Sequence, residues 1–178
     1  MRIAVYCSAS TTIDQKYLDL AFDLGSAIAL AGADLVWGGG QISMMGSVAK
    51  GARTGGAKTF GVIPERLVTV EFEDPESTEM YVVSNMRTRK AKIEEISDAF
   101  IMLPGGIGTL EEFFEIWVGR KLGYHNKPVV VCDPFGTYEL LKTSLDYLTN
   151  EELIGTTSNE LIDWCRDIPS TIHACTKN

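Results

Sequence analysis

Residues 100–112, FIMLPGGIGTLEE, run four apolar side chains into a proline, then three glycines in four positions, then a threonine and two glutamates. The apolar run reads as a strand buried on both faces, which has no polar side to alternate with. Pro104 stops it. Gly105, Gly106 and Gly108 would let the backbone approach a ligand with no side chain in the way. Thr109 then opens a helix. N–H groups at such a start, at the positive end of the helix dipole, suit an anion and most naturally a phosphate. The alternative is that the glycines only make a tight strand-to-helix turn.

Outward from this stretch, strand and helix patterns alternate. Short apolar runs at residues 2–7, 33–37, 58–64, 80–84, 99–103 and 127–133 predict six strands. Helical patterns occupy residues 10–32, 85–97, 109–123 and 137–152, and a glycine loop followed by a helix occupies 38–56. Residues 66–79 read as a loop with a weak helix or edge segment, residues beyond 152 as a short helical region, and the final CTKN as a frayed tail. The alternation predicts an α/β fold, a doubly wound parallel sheet with helices on both faces. Ligands then sit at the carboxyl ends of the strands. Three segments should meet there: the loop after Trp37, the helix start after Ser84, with Ser84 or Asn85 as its cap, and the loop after Leu103.

Composition narrows the function. A chain of 178 residues is enough for one domain with a substantial core. The net charge of −8 argues against a general nucleic-acid binder, because the phosphate backbone would repel the average surface. Cys7, Cys132, Cys165 and Cys175 form no Cys-x-x-Cys pair, which favours free thiols in a reducing cytoplasm. Two histidines, His125 and His173, are too few for a His-based metal centre, so no metal site is expected. Neither a signal peptide nor an apolar run of about 18 residues is seen, so no membrane partner is expected.

Two phosphate fingerprints fail. Gly-x-Gly-x-x-Gly would need glycine where Glu111 stands, and the loop GGGQIS has Ser43 in the third glycine place. Neither loop contains Gly-Lys-Ser/Thr. One phosphate with a sugar suits the site better than a pyrophosphate. Thr109 and Glu112 have the spacing of a capping box, which is one account of Glu112. Glu115 lies three residues on, along the same face. Two carboxylates beside a phosphate cradle are also the equipment for breaking a glycosidic bond. The cluster MRTRKAK, residues 86–92, is either a solvated helix face or functional. Arg89 and Lys90 near a helix start oppose its dipole, which a bound phosphate or a partner carboxylate would offset. Arg89 could hold Glu112 bidentately and keep it ionised. Phe113, Phe114 and Trp117 could serve a dimer interface or the core.

PGGIGTLEE, residues 104–112, and Met86, Arg89 and Lys90 together match the paired signatures Pro-Gly-Gly-x-Gly-Thr-x-x-Glu and Met-x-x-Arg-Lys. The chain resembles the LOG (Lonely Guy) family, the cytokinin riboside 5′-monophosphate phosphoribohydrolases, often mislabelled lysine decarboxylases. The likeness runs through roughly residues 3–150. It implies a single Rossmann-like nucleotide-binding domain over residues 1–178, usually a homodimer. It also implies hydrolysis of a nucleoside 5′-monophosphate to free base and ribose 5-phosphate, without cofactor. By position it implies that Arg89 and Glu112 are catalytic. Substrate would be held by Glu71, Met86, Lys90, Gly105, Gly106, Ile107, Gly108, Thr109 and Glu115. Ser8 and Ala9, Ser43 and Met44, and Val118 depart from the family pattern and bear on base preference. The rival class is a non-catalytic carrier resembling molybdenum-cofactor carriers. A pyridoxal-dependent decarboxylase fits less well, since no lysine sits in a Schiff-base context.

Overall fold

The computed structural model describes residues 1–71 and 73–177. Its strands are β1 (Arg2–Tyr6), β2 (Asp34–Trp37), β3 (Thr59–Pro64), β4 (Glu79–Val83), β5 (Ala99–Met102), β6 (Val129–Cys132) and β7 (Ile162–Cys165). All pair in parallel in the order β4-β3-β2-β1-β5-β6-β7. The chain order reverses between β1 and β5, which opens a crevice at their carboxyl ends. The helices are α1 (Gln15–Leu30), α2 (Ser43–Thr54), α3 (Met86–Ile96), α4 (Ile107–Lys121), α5 (Glu139–Asn150), α6 (Thr156–Asn159) and α7 (Ile168–Thr176).

The period of two along each strand divides its residues between two cores. Ile3 and Val5 join α1, α2 and α7 through Leu24, Val48 and Ala174. Ala4 and Tyr6 join α3, α4 and α5 through Ile93, Phe113 and Leu145. Phe113 and Trp117 are buried in this second core, with Phe114 packed against it. The Trp117 indole N–H donates to the Ser158 carbonyl at 2.8 Å. Core packing thus accounts for these aromatic residues.

Three expectations are corrected. The region after residue 152 contains a strand, β7, as well as helices. β7 is an edge strand, mostly half-buried, so it lacks the continuous apolar run that marks its neighbours. Helix α7 extends through Cys175, which is buried, to Thr176, so the tail is ordered further than CTKN suggests; Asn178 lies outside the described residues. Helix α1 starts at Gln15, where the Asp14 side chain accepts the Lys16 N–H, and not at residue 10. Residues 66–79 are largely irregular, as expected; a 3₁₀ turn at Glu65–Leu67 leads into them, and residue 72 lies outside the described residues. The four cysteines are free thiols. Among the described residues no helix is long and apolar enough to cross a membrane.

Helices α1 and α2 meet backbone to backbone. A Cβ on Gly25 would lie 2.1 Å from the Val48 carbonyl oxygen, and one on Gly51 2.0 Å from that of Phe22. Gly25→Ala therefore forces the helices apart and should cost about 1–3 kcal/mol, read as a lower urea midpoint at unchanged slope.

Candidate active site

Arg89 lies one turn into α3, whose start is fixed by the Asn85 side chain accepting the Thr88 N–H at 3.0 Å. Its guanidinium reaches under the carboxyl ends of β2 and β3 and is 5% exposed. Nε donates to the Val62 carbonyl at 3.1 Å, and Nη2 to the Gly38 carbonyl at 2.9 Å and to Glu71 at 3.4 Å. Nη1 donates to the Met86 sulfur at 3.7 Å. A buried cation needs such acceptors, since losing water without replacement costs several kcal/mol.

The glycine triplet after Trp37 makes room for this arrangement. A Cβ on Gly38 would stand 1.9 Å from Arg89 Nη2, and one on Gly40 3.0 Å from the Glu71 carbonyl oxygen. The loop carrying Glu71 is tied to the triplet by main-chain bonds, Gln41 N–H to Glu71 O at 3.1 Å and Asp74 N–H to Gly39 O at 3.0 Å. From α2, Arg53 pairs with buried Asp74 at 2.7 Å and with Glu76 at 3.0 Å. Burial raises the pKa of Glu71, and Arg89 opposes the rise.

The second glycine loop feeds α4. The helix begins at Ile107 with Gly106 as N-cap, so Thr109 falls inside its first turn and the Thr109–Glu112 capping box does not form. No side chain caps this start, and the first intrahelical bond there runs from the Leu110 N–H to Gly106 O at 3.1 Å. The N–H groups of Ile107, Gly108 and Thr109 belong to the unpaired set at a helix N-terminus. Gly105 is explained by packing, since its Cβ would meet Thr109 Oγ1 at 2.2 Å, whereas a Cβ on Gly106 or Gly108 would meet no atom within 4 Å. Those two glycines leave open space in front of the helix. The Tyr138 hydroxyl, 3.1 Å from both the Leu103 and Gly105 carbonyl oxygens, braces the loop from behind. Asp133 holds Tyr138 by accepting its N–H at 2.8 Å.

Glu112 projects from α4 into a cavity of about 310 Å³ whose lining includes Cys7, Glu71, Arg89, Gly108 and Thr109. The expected Arg89–Glu112 pair is absent: Arg89 is engaged by Glu71 and two carbonyls, and among the described residues Glu112 has no hydrogen-bond partner for its carboxylate. Burial pushes the Glu112 pKa up to about 7 against the nearby positive charge of Arg89. Burial, with Glu112 adding to it, also raises the Cys7 thiol, which forms a neutral wall.

Glu71, Met86, Arg89, Gly106, Gly108, Thr109 and Glu112 all line this cavity. Lys90, Gly105, Ile107 and Glu115 do not. The Lys90 ammonium bonds Glu111 and Glu115, one turn apart on α4. Burial lowers its pKa, but these two bonds outweigh that and leave it raised. Glu115 is thus tied to Lys90 outside the cavity, whereas Glu111, held by the same ammonium, still borders it beside Glu112. Ser10, Met45 and Leu67 complete walls that no sequence motif marked, and Tyr138 acts from behind with no motif of its own. Among the described residues no cluster of three or more His, Cys, Asp or Glu side chains is arranged to hold a metal.

A family model described as "Possible lysine decarboxylase" matches residues 45–175. The Mycobacterium tuberculosis protein named cytokinin riboside 5′-monophosphate phosphoribohydrolase is 43% identical over 173 residues, 97% of this chain and 92% of that protein. The Arabidopsis thaliana cytokinin riboside 5′-monophosphate phosphoribohydrolase LOG4 is 40% identical over 161 residues, 90% of this chain and 75% of that one. Among solved structures, the molybdenum cofactor binding protein from Rippkaea orientalis aligns with a TM-score of 0.71 at 23% identity, covering 97% of this chain and 93% of its own. At that identity the likeness concerns the fold alone.

Removing Arg89 leaves Glu71 without its cation. Arg89→Ala should lose about 3–5 kcal/mol at pH 8. The deficit should shrink at pH 5, because Glu71, its pKa raised further, then takes up a proton in the folded state. Urea unfolding at the two pH values checks both the size and the direction.

Proposed function

The chain belongs to the LOG family of cytokinin riboside 5′-monophosphate phosphoribohydrolases, and on that footing we propose that its cavity hydrolyses the N-glycosidic bond of adenine-type nucleoside 5′-monophosphates. The products are the free base and ribose 5-phosphate. One observation carries the assignment to this cavity: a carboxyl group that has no side-chain partner among the described residues stands beside an uncapped helix start that two glycines leave open.

In this reading the amides of Ile107, Gly108 and Thr109 take the 5′-phosphate at the positive end of α4. Anchoring the phosphate orients the ribose, so that binding energy remote from the reacting carbon serves the chemistry. Glu112 is the catalytic carboxylate. It accepts a proton from the water whose oxygen bonds to the anomeric carbon as the C–N bond breaks, its negative charge stabilises the cationic sugar, and the departing base takes a proton from solvent. A pKa of about 7 places that base near the working pH. Arg89 supplies the charge that keeps a fraction of Glu112 ionised, and it holds Glu71 at the cavity wall as an acceptor for ribose hydroxyls. Lys90 is assigned to fixing α4 against α3 through Glu111 and Glu115, not to the phosphate. The decarboxylase of the family description finds no support here, since none of the residues lining the cavity is a lysine.

The proposed assembly is a homodimer in a reducing cytoplasm. Ile107, Val118 and Leu122 lie on the side of α4 that also carries Glu111 and Glu115, and stay 89%, 48% and 60% exposed, apolar surface that a second copy would cover. The free thiols suit the compartment.

A panel of nucleoside 5′-monophosphates and matching nucleosides tests the reading. Turnover should be confined to the phosphorylated forms; equal cleavage of adenosine and AMP would refute the phosphate cradle. For AMP, kcat/KM should rise with pH through an apparent pKa near 7, as Glu112 loses its proton. Glu112→Gln should lower kcat by about 10²- to 10⁴-fold. Light scattering should give twice the monomer mass, and Leu122→Asp should shift it toward the monomer.

A further inference from the structure

Ser43 opens α2 with a φ of 54°, in the left-handed region that residues with side chains rarely adopt. Its hydroxyl donates to the Ser10 carbonyl at 2.5 Å, joining α2 to the turn between β1 and α1. That turn is shaped by its own hydroxyls. The Ser10 N–H donates to Ser8 Oγ at 3.1 Å, and the Ser10 and Thr12 hydroxyls lie 3.2 Å apart. Among the described residues, the Ser43 bond is the one hydrogen bond from residues 8–12 to another element.

The turn is a partition. Ser8 and Ser10 line the cavity that holds Glu112 together with Met45 from α2. They also line a second, more apolar recess, of about 310 Å³, together with Met44. Gly106, at the start of α4, borders both spaces. Where the turn sits therefore decides where its two hydroxyls stand relative to the open amides of α4.

We propose that Ser43 is a positioning residue for the nucleotide site: its hydroxyl latches the serine turn, so that a phosphorylated ligand meets preset hydroxyls instead of ordering a loose loop. The proposal rests on reading this cavity as a nucleoside 5′-monophosphate site. Its physical basis is preorganisation, in which ordering done during folding need not be repeated on binding. The strained backbone at Ser43 is the counterpart, since such conformations persist where surrounding contacts hold them.

Three variants separate the latch from a merely structural role. Ser43→Gly removes the hydroxyl and relieves the backbone, so its Tm should equal or exceed that of the wild type, while KM for AMP rises about three- to tenfold, the worth of one hydrogen bond. Its kcat should stay within about twofold. Ser43→Ala keeps the strain and loses the bond, so Tm falls while KM rises by a similar factor. Ser43→Asn tolerates the left-handed region and brings an N–H donor, so KM should return toward the wild-type value. Calorimetric binding of ribose 5-phosphate should follow the same order as KM. A wild-type KM in Ser43→Gly, a KM that follows Tm across the variants, or no rescue by Ser43→Asn overturns the latch alone. A wild-type chain that neither binds nor cleaves AMP overturns the reading of the cavity, and the latch with it.

Discussion

A guanidinium buried under the ends of a parallel sheet sets the terms for the rest of this site. Arg89 has given up nearly all its water, so every donor it keeps needs an acceptor in the protein. Two main-chain carbonyls serve it, Gly38 directly after β2 and Val62 in the second half of β3. The residue at 38 has to be glycine, because any side chain would occupy the space of the guanidinium. The irregular segment after β3 has to fold back, because it brings the carboxylate that pairs with the guanidinium, Glu71. Arg53 and Asp74 then pin that segment to α2. A glycine triplet, a strand terminus and a loop anchor thus answer a single electrostatic demand.

With Arg89 committed to Glu71, Glu112 is left half-buried without a hydrogen-bonded cation. Its folded-state pKa, about 7, stands above the ordinary 4.5. A carboxyl group shifted in this direction contributes stability at low pH and loses it as pH rises through the folded value. The fold therefore tolerates a group that weakens it at neutral pH, a common mark of functional positions. The open start of α4 has the same character. Its amides lack a capping side chain, and Gly106 and Gly108 are unexplained by internal packing. Both features are liabilities in an empty protein and assets beside a phosphorylated sugar.

Much of this was legible in the sequence because it follows from periodicity and chain sterics. Continuous apolar runs marked the strands buried on both faces, and the strand-helix alternation gave the parallel sheet and its crevice. The convergence of the loop after Trp37, the start of α3 and the loop after Leu103 followed from that topology. The partner of Arg89 did not. Spacing showed that Arg89 and Glu112 would come to the same sheet edge, but Glu71 sits in a segment without regular structure, where no period reports direction. Helix phase alone also placed Glu115 in the site with Glu112, whereas its carboxylate is taken up by Lys90 and does not line the cavity. Strand β7 was missed because a half-exposed edge strand has no unbroken apolar run. Tyr138 and Ser43 act through single hydrogen bonds to backbone carbonyls, which leave no trace in residue pattern.

The division of partners, Arg89 with Glu71 and Glu112 alone, is open to direct observation. Carboxyl-carbon NMR of glutamate-labelled protein, titrated across pH and compared with Glu112→Gln, follows that one group. A single resonance should titrate near pH 7 and be missing in the variant. If the Glu112 resonance instead titrated at or below the usual carboxylate range, Arg89 would have to reach it in solution, and the arrangement described for this site would be wrong.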